Sequence, residues 1–213
     1  MDIVILLLGV SILLVILYMF VERVNKSIRY LPDNDNREFY KFLSNKSGFD
    51  RQVMTENLEI IKSVLDRYRV FFWLGEGTAL GAIREGRIIE NDTDNDIGIY
   101  GKDEDIFFKK CIPKLKAKGF WYARREGRWG PLSIVRKGQY TDVDIYDRGR
   151  FCYSGWPFYG PTEASCMEIL QLVEPFSKAT IDGTEYNVPS IEYIEKLYGK
   201  NWRVPNKDNH GTG

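Results

Sequence analysis

The sequence predicts an α+β domain behind an N-terminal membrane helix, on the strength of three observations. Ile3 to Val21 reads IVILLLGVSILLVILYMFV, an apolar run of about 19 residues, long enough for a helix to cross a bilayer. Beyond it, segments with apolar residues at helical spacing alternate with short apolar runs bounded by glycine, the pattern of helices packed on a sheet. Acids then gather on two of those short runs: Asp92, Asp94 and Asp96 on one, Asp142 and Asp144 on another. The expected divisions are an anchor over 1–22, a polar linker over 23–36, a catalytic domain over 37–206 and a polar tail over 207–213.

The anchor lacks the basic start and small-residue cleavage site of a signal peptide, because Asp2 precedes the run and Glu22 and Arg23 follow it. Arg23, Lys26 and Arg29 flank its C-terminal end, which by the positive-inside tendency places the domain in the cytoplasm. The sequons Asn25-Lys-Ser and Asn45-Lys-Ser fit a lumenal domain instead. Pro32 and the run Asp33-Asn34-Asp35-Asn36 mark the linker.

Helices are expected over Arg37–Leu43 and Arg51–Arg69, the second with Val53, Leu58, Ile61, Val64, Leu65 and Tyr68 at helical spacing. Val70–Leu74 is short and apolar enough for a buried strand, and Gly75, Glu76 and Gly77 break it. Thr78 sits where an N-cap belongs, before the helix formers Ala79, Leu80, Ala82 and Arg84, and Gly86 closes that helix. A strand feeding a glycine turn that opens a helix leaves backbone N–H groups free to meet a phosphate, which makes Gly75, Gly77 and Thr78 candidate phosphate binders. Any sharp strand-to-helix turn also favours glycine.

In the strand that follows, Asp94, Asp96 and Gly98 share one side, while Asn95, Ile97 and Ile99 share the other. Carboxylates two residues apart stand roughly 7 Å apart at the backbone, so their oxygens can converge on hard cations that relieve their repulsion. The triplet Asp92, Asp94, Asp96 imitates the start of a calcium-binding EF-hand loop. Ile97 stands where that loop needs glycine, however, and Asp103 where it needs glutamate.

Asp103–Lys118 reads as an amphipathic helix kinked at Pro113. Strands are expected over 120–124, 132–136 and 141–146, with turns at Gly127, Gly130 and Gly138. Asp142 and Asp144 face one side of the last strand. The aromatic, Gly- and Pro-containing stretch Phe151–Cys166 is a candidate lid or acceptor loop. A hairpin turning at Asp182-Gly183 is expected within Val173–Val188, and Ser190 caps a last helix that stops at Gly199.

Composition narrows the chemistry. Thirty basic residues balance thirty acidic ones, which argues against a general nucleic-acid binder. The three cysteines have no paired motif spacing, and the single histidine, His210, lies in the polar tail. Disulfide frameworks, zinc sites and histidine acid–base chemistry fall away, which leaves the carboxylates to do the work.

The stretches WLGEGTALGAIREGRII, DTDNDIGIY, TDVDIYD and VPSIEYIEKLYGKNW occur in the order and spacing that resemble the LicD/fukutin family, from roughly Glu56 to Asn206 and closest to its fukutin branch. The resemblance implies a nucleotidyltransferase-like mixed sheet flanked by helices. It implies Asp94 and Asp96 as metal ligands and favours Asp144 as the third carboxylate and proton acceptor, with Asp142 the competitor on the same strand face. Asp92 matches an acidic position of the LicD branch but not of fukutin. Arg84 matches an arginine that would fork onto a donor phosphate. Glu90 and Asn91 depart from the Pro-Trp or Pro-His that usually precede the acids. By the same resemblance, the activity is transfer of a phosphorylated group (ribitol-phosphate or phosphocholine type) from a CDP-linked donor to a glycan or glycoprotein hydroxyl. It would use Mg2+ or Mn2+, in a Golgi or endoplasmic-reticulum lumen. The same fold equally hosts nucleotidyl transfer. A catalytically silent, membrane-anchored scaffold for a glycosyltransferase is the third reading, against which the retained acids argue.

Overall fold

The computed structural model describes residues 9–19, 36–45, 48–90, 92–125, 132–146 and 166–205. The chain divides into two units, Met1–Pro32 and Asp33–Gly213. In the first, residues 9–19 form a helix, α1, with exposed apolar side chains from Val10 to Met19. At 1.5 Å per residue it extends roughly 16 Å, about half of a bilayer's hydrocarbon thickness. Among the described residues no helix is long and apolar enough to cross a membrane. The remainder of the expected anchor lies outside the described residues, as do the linker up to residue 35, the turns at Gly127 and Gly130, residues 151–165 and the tail from 206.

The second unit is the α+β domain. Its helices begin with α2 (Asn36–Ser44) and α3 (Arg51–Arg67), the latter capped by Asp50, whose carboxylate accepts from the Val53 N–H. Strand β1 (Phe72–Leu74) runs into α4 (Glu76–Glu85) and then β2 (Asn95–Tyr100). The predicted kinked helix is a composite: a 3₁₀ turn at Gly101–Asp103, α5 (Glu104–Ile106), a π turn at Phe107–Cys111 and α6 (Ile112–Lys116). The π turn widens the backbone at Lys109, whose carbonyl would otherwise meet the Pro113 ring. Then come β3 (Trp121–Arg125), β4 (Leu132–Arg136), β5 (Gln139–Tyr146) and α7 (Cys166–Val173). The hairpin β6 (Ser177–Ile181) and β7 (Thr184–Val188) precedes α8 (Ile191–Tyr198).

Five strands form one mixed sheet in the order β1-β2-β5-β4-β3, and β6–β7 forms a separate pair. The β2–β5 pairing is parallel and sets Asp96 opposite Asp142 and Gly98 opposite Asp144; its neighbours pair antiparallel. The hairpin turns at Asp182 (φ 48°) and Gly183 (φ 87°), where two positive φ values match the right-handed twist of the strands. Ser190 caps α8 by accepting from the Tyr193 N–H, and Gly199 follows its last turn, both as the sequence predicts.

One face of the sheet is the core. Ile97, Ile99 and Val143 are buried there, as are Met54, Leu58, Ile61, Val64 and Leu65 of α3 and Phe107, Cys111 and Leu115 of the composite helix. Asn95 also faces inward, where its amide donates to the Met54 carbonyl at 3.2 Å, so a polar side chain is accommodated in the core by bonding α3. The opposite face carries the acids.

Candidate active site

Alternation along β5 places Tyr140, Asp142, Asp144 and Tyr146 on one face, so two acids are flanked by two tyrosines. Tyr140 packs against Phe39 and Phe42 of α2 at ring distances of 5.5 and 6.4 Å. Tyr146 packs against Trp73 at 5.2 Å. The indole of Trp73 lies directly over Gly98, where an added Cβ would stand 2.3 Å from it. Residue 98 must therefore be glycine, and the slot across from Asp144 is filled by Trp73 rather than by a side chain of β2.

Asp94, Asp96 and Asp142 each bring a carboxylate oxygen within 4.8 Å of the other two. Asp96 and Asp142 meet because the parallel register makes them cross-strand neighbours, and Asp94 enters from the residue before β2. On its other side Asp142 is the register partner of Ser133, whose hydroxyl donates to its Oδ1. Oxygens so spaced fit a hard cation, whose ligands stand at about 2.0–2.6 Å from the ion. The donor set, three carboxylates with neither histidine nor cysteine, suits the same ions.

Sequence reasoning favours Asp144 as the third carboxylate; the structure brings Asp142 to the pair instead. Both lie on the same face, but the register carries Asp144 one step up the sheet, beside Gly98. Asp92 approaches from the loop before β2, and its carboxylate lies over Gly77, where an added Cβ would meet Oδ2 at 2.7 Å.

The glycine turn is joined to the acidic strand. Gly75, not Thr78, is the N-cap of α4. Its N–H donates to the Asp96 carbonyl at 2.8 Å, and its α-carbon face lies against the Asp96 side chain. Thr78 is buried inside the first turn, where its hydroxyl accepts from the Asp96 N–H at 2.8 Å. Gly75 and Thr78, read from sequence as phosphate binders together with Gly77, bond the Asp96 backbone, and Gly77 lies against the Asp92 carboxylate. Arg84 is not brought to this group. It lies eight residues beyond Glu76, roughly 12 Å along the helix. There it donates to Glu85 and, at 3.2 Å, to the Trp202 carbonyl.

Several groups enter the site that sequence reasoning did not select. Glu76, between the two glycines, has φ 36°, a backbone conformation that a glutamate rarely adopts. Burial, then the charges of Asp144, Asp94, Asp142 and Asp92, push its carboxyl up to about 8. Burial and the neighbouring acids also raise Asp96 well above the ordinary carboxylate range. The phenol of Tyr140 is raised by burial, by the charges of Asp94 and Asp142 and by a hydrogen bond to Asp94. From α8, Tyr193 and Tyr198 are raised by burial and then by Glu76 and other acids of the site, so that helix borders the same pocket of charge. A glutamate between two glycines was the one available signal for Glu76. Ser133 and the tyrosines depend on pairings that only the folded chain reveals.

Residues 69–190 match the family described as LicD/FKTN/FKRP, nucleotidyltransferase domain. Over 170 residues the chain is 32% identical to ribitol-5-phosphate transferase FKTN of Macaca fascicularis and 31% identical to that of Homo sapiens. In each case 74% of this chain and 34% of the relative are covered, so the chain spans about a third of the length of these relatives. Among solved structures, the lincomycin-bound lincosamide antibiotic adenylyltransferase LnuA superposes with a TM-score of 0.48 at 14% identity, over 76% of this chain and 93% of that one. A superposition that loose transfers no residue role. The matched segment contains the glycine turn, both acidic strands and the hairpin, and this chain belongs to the LicD/FKTN/FKRP nucleotidyltransferase-domain family.

Proposed function

We propose that this chain is a divalent-metal-dependent transferase that moves a phosphorylated group, of the ribitol-phosphate or phosphocholine type, from a CDP-linked donor to a glycan hydroxyl. We propose further that its apolar N-terminal run anchors it to a membrane. The observation that carries the reading is the convergence of Asp94, Asp96 and Asp142 within the segment that matches the family. The ribitol-5-phosphate transferase relatives support the transferred group.

Mg2+ or Mn2+ on Asp94, Asp96 and Asp142 would neutralise the charge of the donor's phosphates. Ser133 fixes the orientation of Asp142, and the Thr78 hydroxyl and Gly75 N–H fix the backbone of Asp96. The N-terminus of α4 adds backbone N–H groups at the same end. Asp144, one step up β5, is the proposed proton acceptor. The acceptor oxygen bonds to phosphorus, the phosphorus–oxygen bond to CMP breaks, and the hydroxyl proton passes to Asp144.

The test is a donor panel with the full chain in detergent: CDP-ribitol, CDP-choline and the UDP- and GDP-linked equivalents, each with a glycan acceptor, with and without Mg2+ or Mn2+. Cation-dependent CMP release with a phosphorylated glycan is the expected result. Pyrophosphate release from a nucleoside triphosphate would instead establish nucleotidyl transfer. No release from any donor would leave the scaffold reading.

A further inference from the structure

The core face of β2 and β5 holds three polar side chains that the protein satisfies only in part. Asn95, Gln139 and Thr141 are fully buried. The Asn95 amide donates to the Met54 carbonyl, and the Gln139 amide donates to the Gly48 carbonyl at 3.1 Å. Those bonds fix how each amide is turned, because a carbonyl accepts only from the nitrogen end. Among the described residues, Asn95 Oδ1, Gln139 Oε1 and the Thr141 hydroxyl are left buried with no hydrogen-bond partner. Asn57, also buried, shows that the fold can do otherwise. Its amide donates to the Arg136 carbonyl, and its oxygen accepts from the Arg136 guanidinium.

The three groups belong to one place. The parallel register makes Asn95 and Thr141 cross-strand partners, about 4.8 Å apart at the backbone, on the face that also carries Ile97 and Val143. Gln139 precedes Thr141 by two residues on that face, roughly 7 Å along the strand. What they leave over is lopsided: two amide oxygens that can only accept, and one hydroxyl with a single proton to give. Leaving buried acceptors unmet is costly. A water molecule, with two protons to donate and two lone pairs, supplies what is missing.

We infer that ordered water occupies this pocket, donating to Asn95 Oδ1 and Gln139 Oε1 and accepting from the Thr141 hydroxyl. It ties β2 to β5 at the step where Asn95 stands between Asp94 and Asp96, and Thr141 stands beside Asp142. Asn95 and Thr141 are thereby positioning residues, which act from the core side on the spacing of the three carboxylates opposite. The positioning role rests on the cation-dependent reading proposed above; the water does not.

A crystal structure of the full chain in detergent, urea unfolding and Mn2+ calorimetry test the inference. Density for water within hydrogen-bond distance of Asn95 Oδ1 and Thr141 Oγ1 is expected. Thr141→Val keeps the shape and removes the hydroxyl. It should lower the urea midpoint, because the water loses a partner, and weaken Mn2+ binding about tenfold, the low end for residues that support metal ligands. Thr141→Ser returns the hydroxyl and should bind Mn2+ as the wild type does. A pocket without water, or one holding a monovalent cation, would overturn the inference outright. So would an unchanged or raised midpoint in Thr141→Val, the result expected when a methyl group replaces a buried hydroxyl that has no partner. Wild-type Mn2+ affinity in Thr141→Val, or equal weakening in Thr141→Ser, would overturn the positioning role and leave the water. Absence of Mn2+ binding by the wild type would overturn that role together with the cation-dependent reading, and the density would still decide the water.

Discussion

The two faces of β2 and β5 are built from the same backbone and the same register, yet their side chains serve opposite ends. On one, Ile97, Ile99 and Val143 are buried with α3, and even Asn95 is bonded to the Met54 carbonyl. On the other, Asp96 and Asp142 stand side by side, with Asp94 and Asp144 next to them, and burial raises rather than relieves their mutual repulsion. Strand pairing is thus maintained from the core side, and the site side is free to hold charges that no stable fold would gather for its own sake. The glycines mark the boundary. Gly98 admits Trp73 to the acidic face, and Gly75 and Gly77 let α4 approach it.

The largest effects are expected where the acidic face is broken. Asp142→Asn should lose Mn2+ binding and turnover together, because Asp142 completes the group of three. Asp144→Asn should keep Mn2+ affinity but lose turnover by about 10²–10⁴-fold, the usual cost of a missing general base. Calorimetry beside CMP release distinguishes them; equal Mn2+ affinities in the two variants would remove the distinction drawn between these acids. A smaller effect is expected at the boundary. Gly98→Ala puts a Cβ 2.3 Å from the Trp73 indole. It should destabilise by about 1–3 kcal/mol, read as a lower urea midpoint. A midpoint equal to wild type would mean that Trp73 is free to leave the acidic face. The smallest lies remote from both faces. Arg136 and Lys137 hold the Glu56 carboxyl down to about 2 from its ordinary 4.5. Its contribution is full above the ordinary value and lost as pH falls through about 2, so Glu56→Gln should flatten the acid limb of the stability curve. An unchanged acid limb would show that this exposed pair contributes nothing measurable.

Local chemistry was legible in the sequence. The Asp182-Gly183 turn, the Ser190 cap and the extent of Leu132–Arg136 each depend on neighbours a few residues away. Period-two alternation likewise put the acids on one face. It could not choose between Asp142 and Asp144, because alternation is blind to register, and the register is a property of two strands. Thr78 reads as an N-cap because threonine caps helices often; its actual partner, the Asp96 N–H, lies 18 residues on. Arg84 reads as a phosphate ligand from its place in the helix; its bond to the Trp202 carbonyl, 118 residues away, is invisible at that level. What the sequence concealed was consistently a partner distant along the chain.

The parallel pairing of β2 with β5 has a consequence for the order of folding. It joins Asp96 to Asp142 across 142 − 96 = 46 intervening steps of chain, whereas β4 and β5 meet through the turn at Lys137-Gly138. Closing a long loop is entropically slower than closing a hairpin, so the β3–β4–β5 meander can form early and β2 must be docked onto it later. That docking is also the step that brings like charges together, and its late stage is therefore uphill in the absence of a counter-ion. A cation that binds only the assembled strands would pull this step forward by mass action, adding about 2.7 kcal/mol when present at a hundred times its dissociation constant. Refolding in the presence of the ion would then be more complete than refolding without it, and unfolding slower.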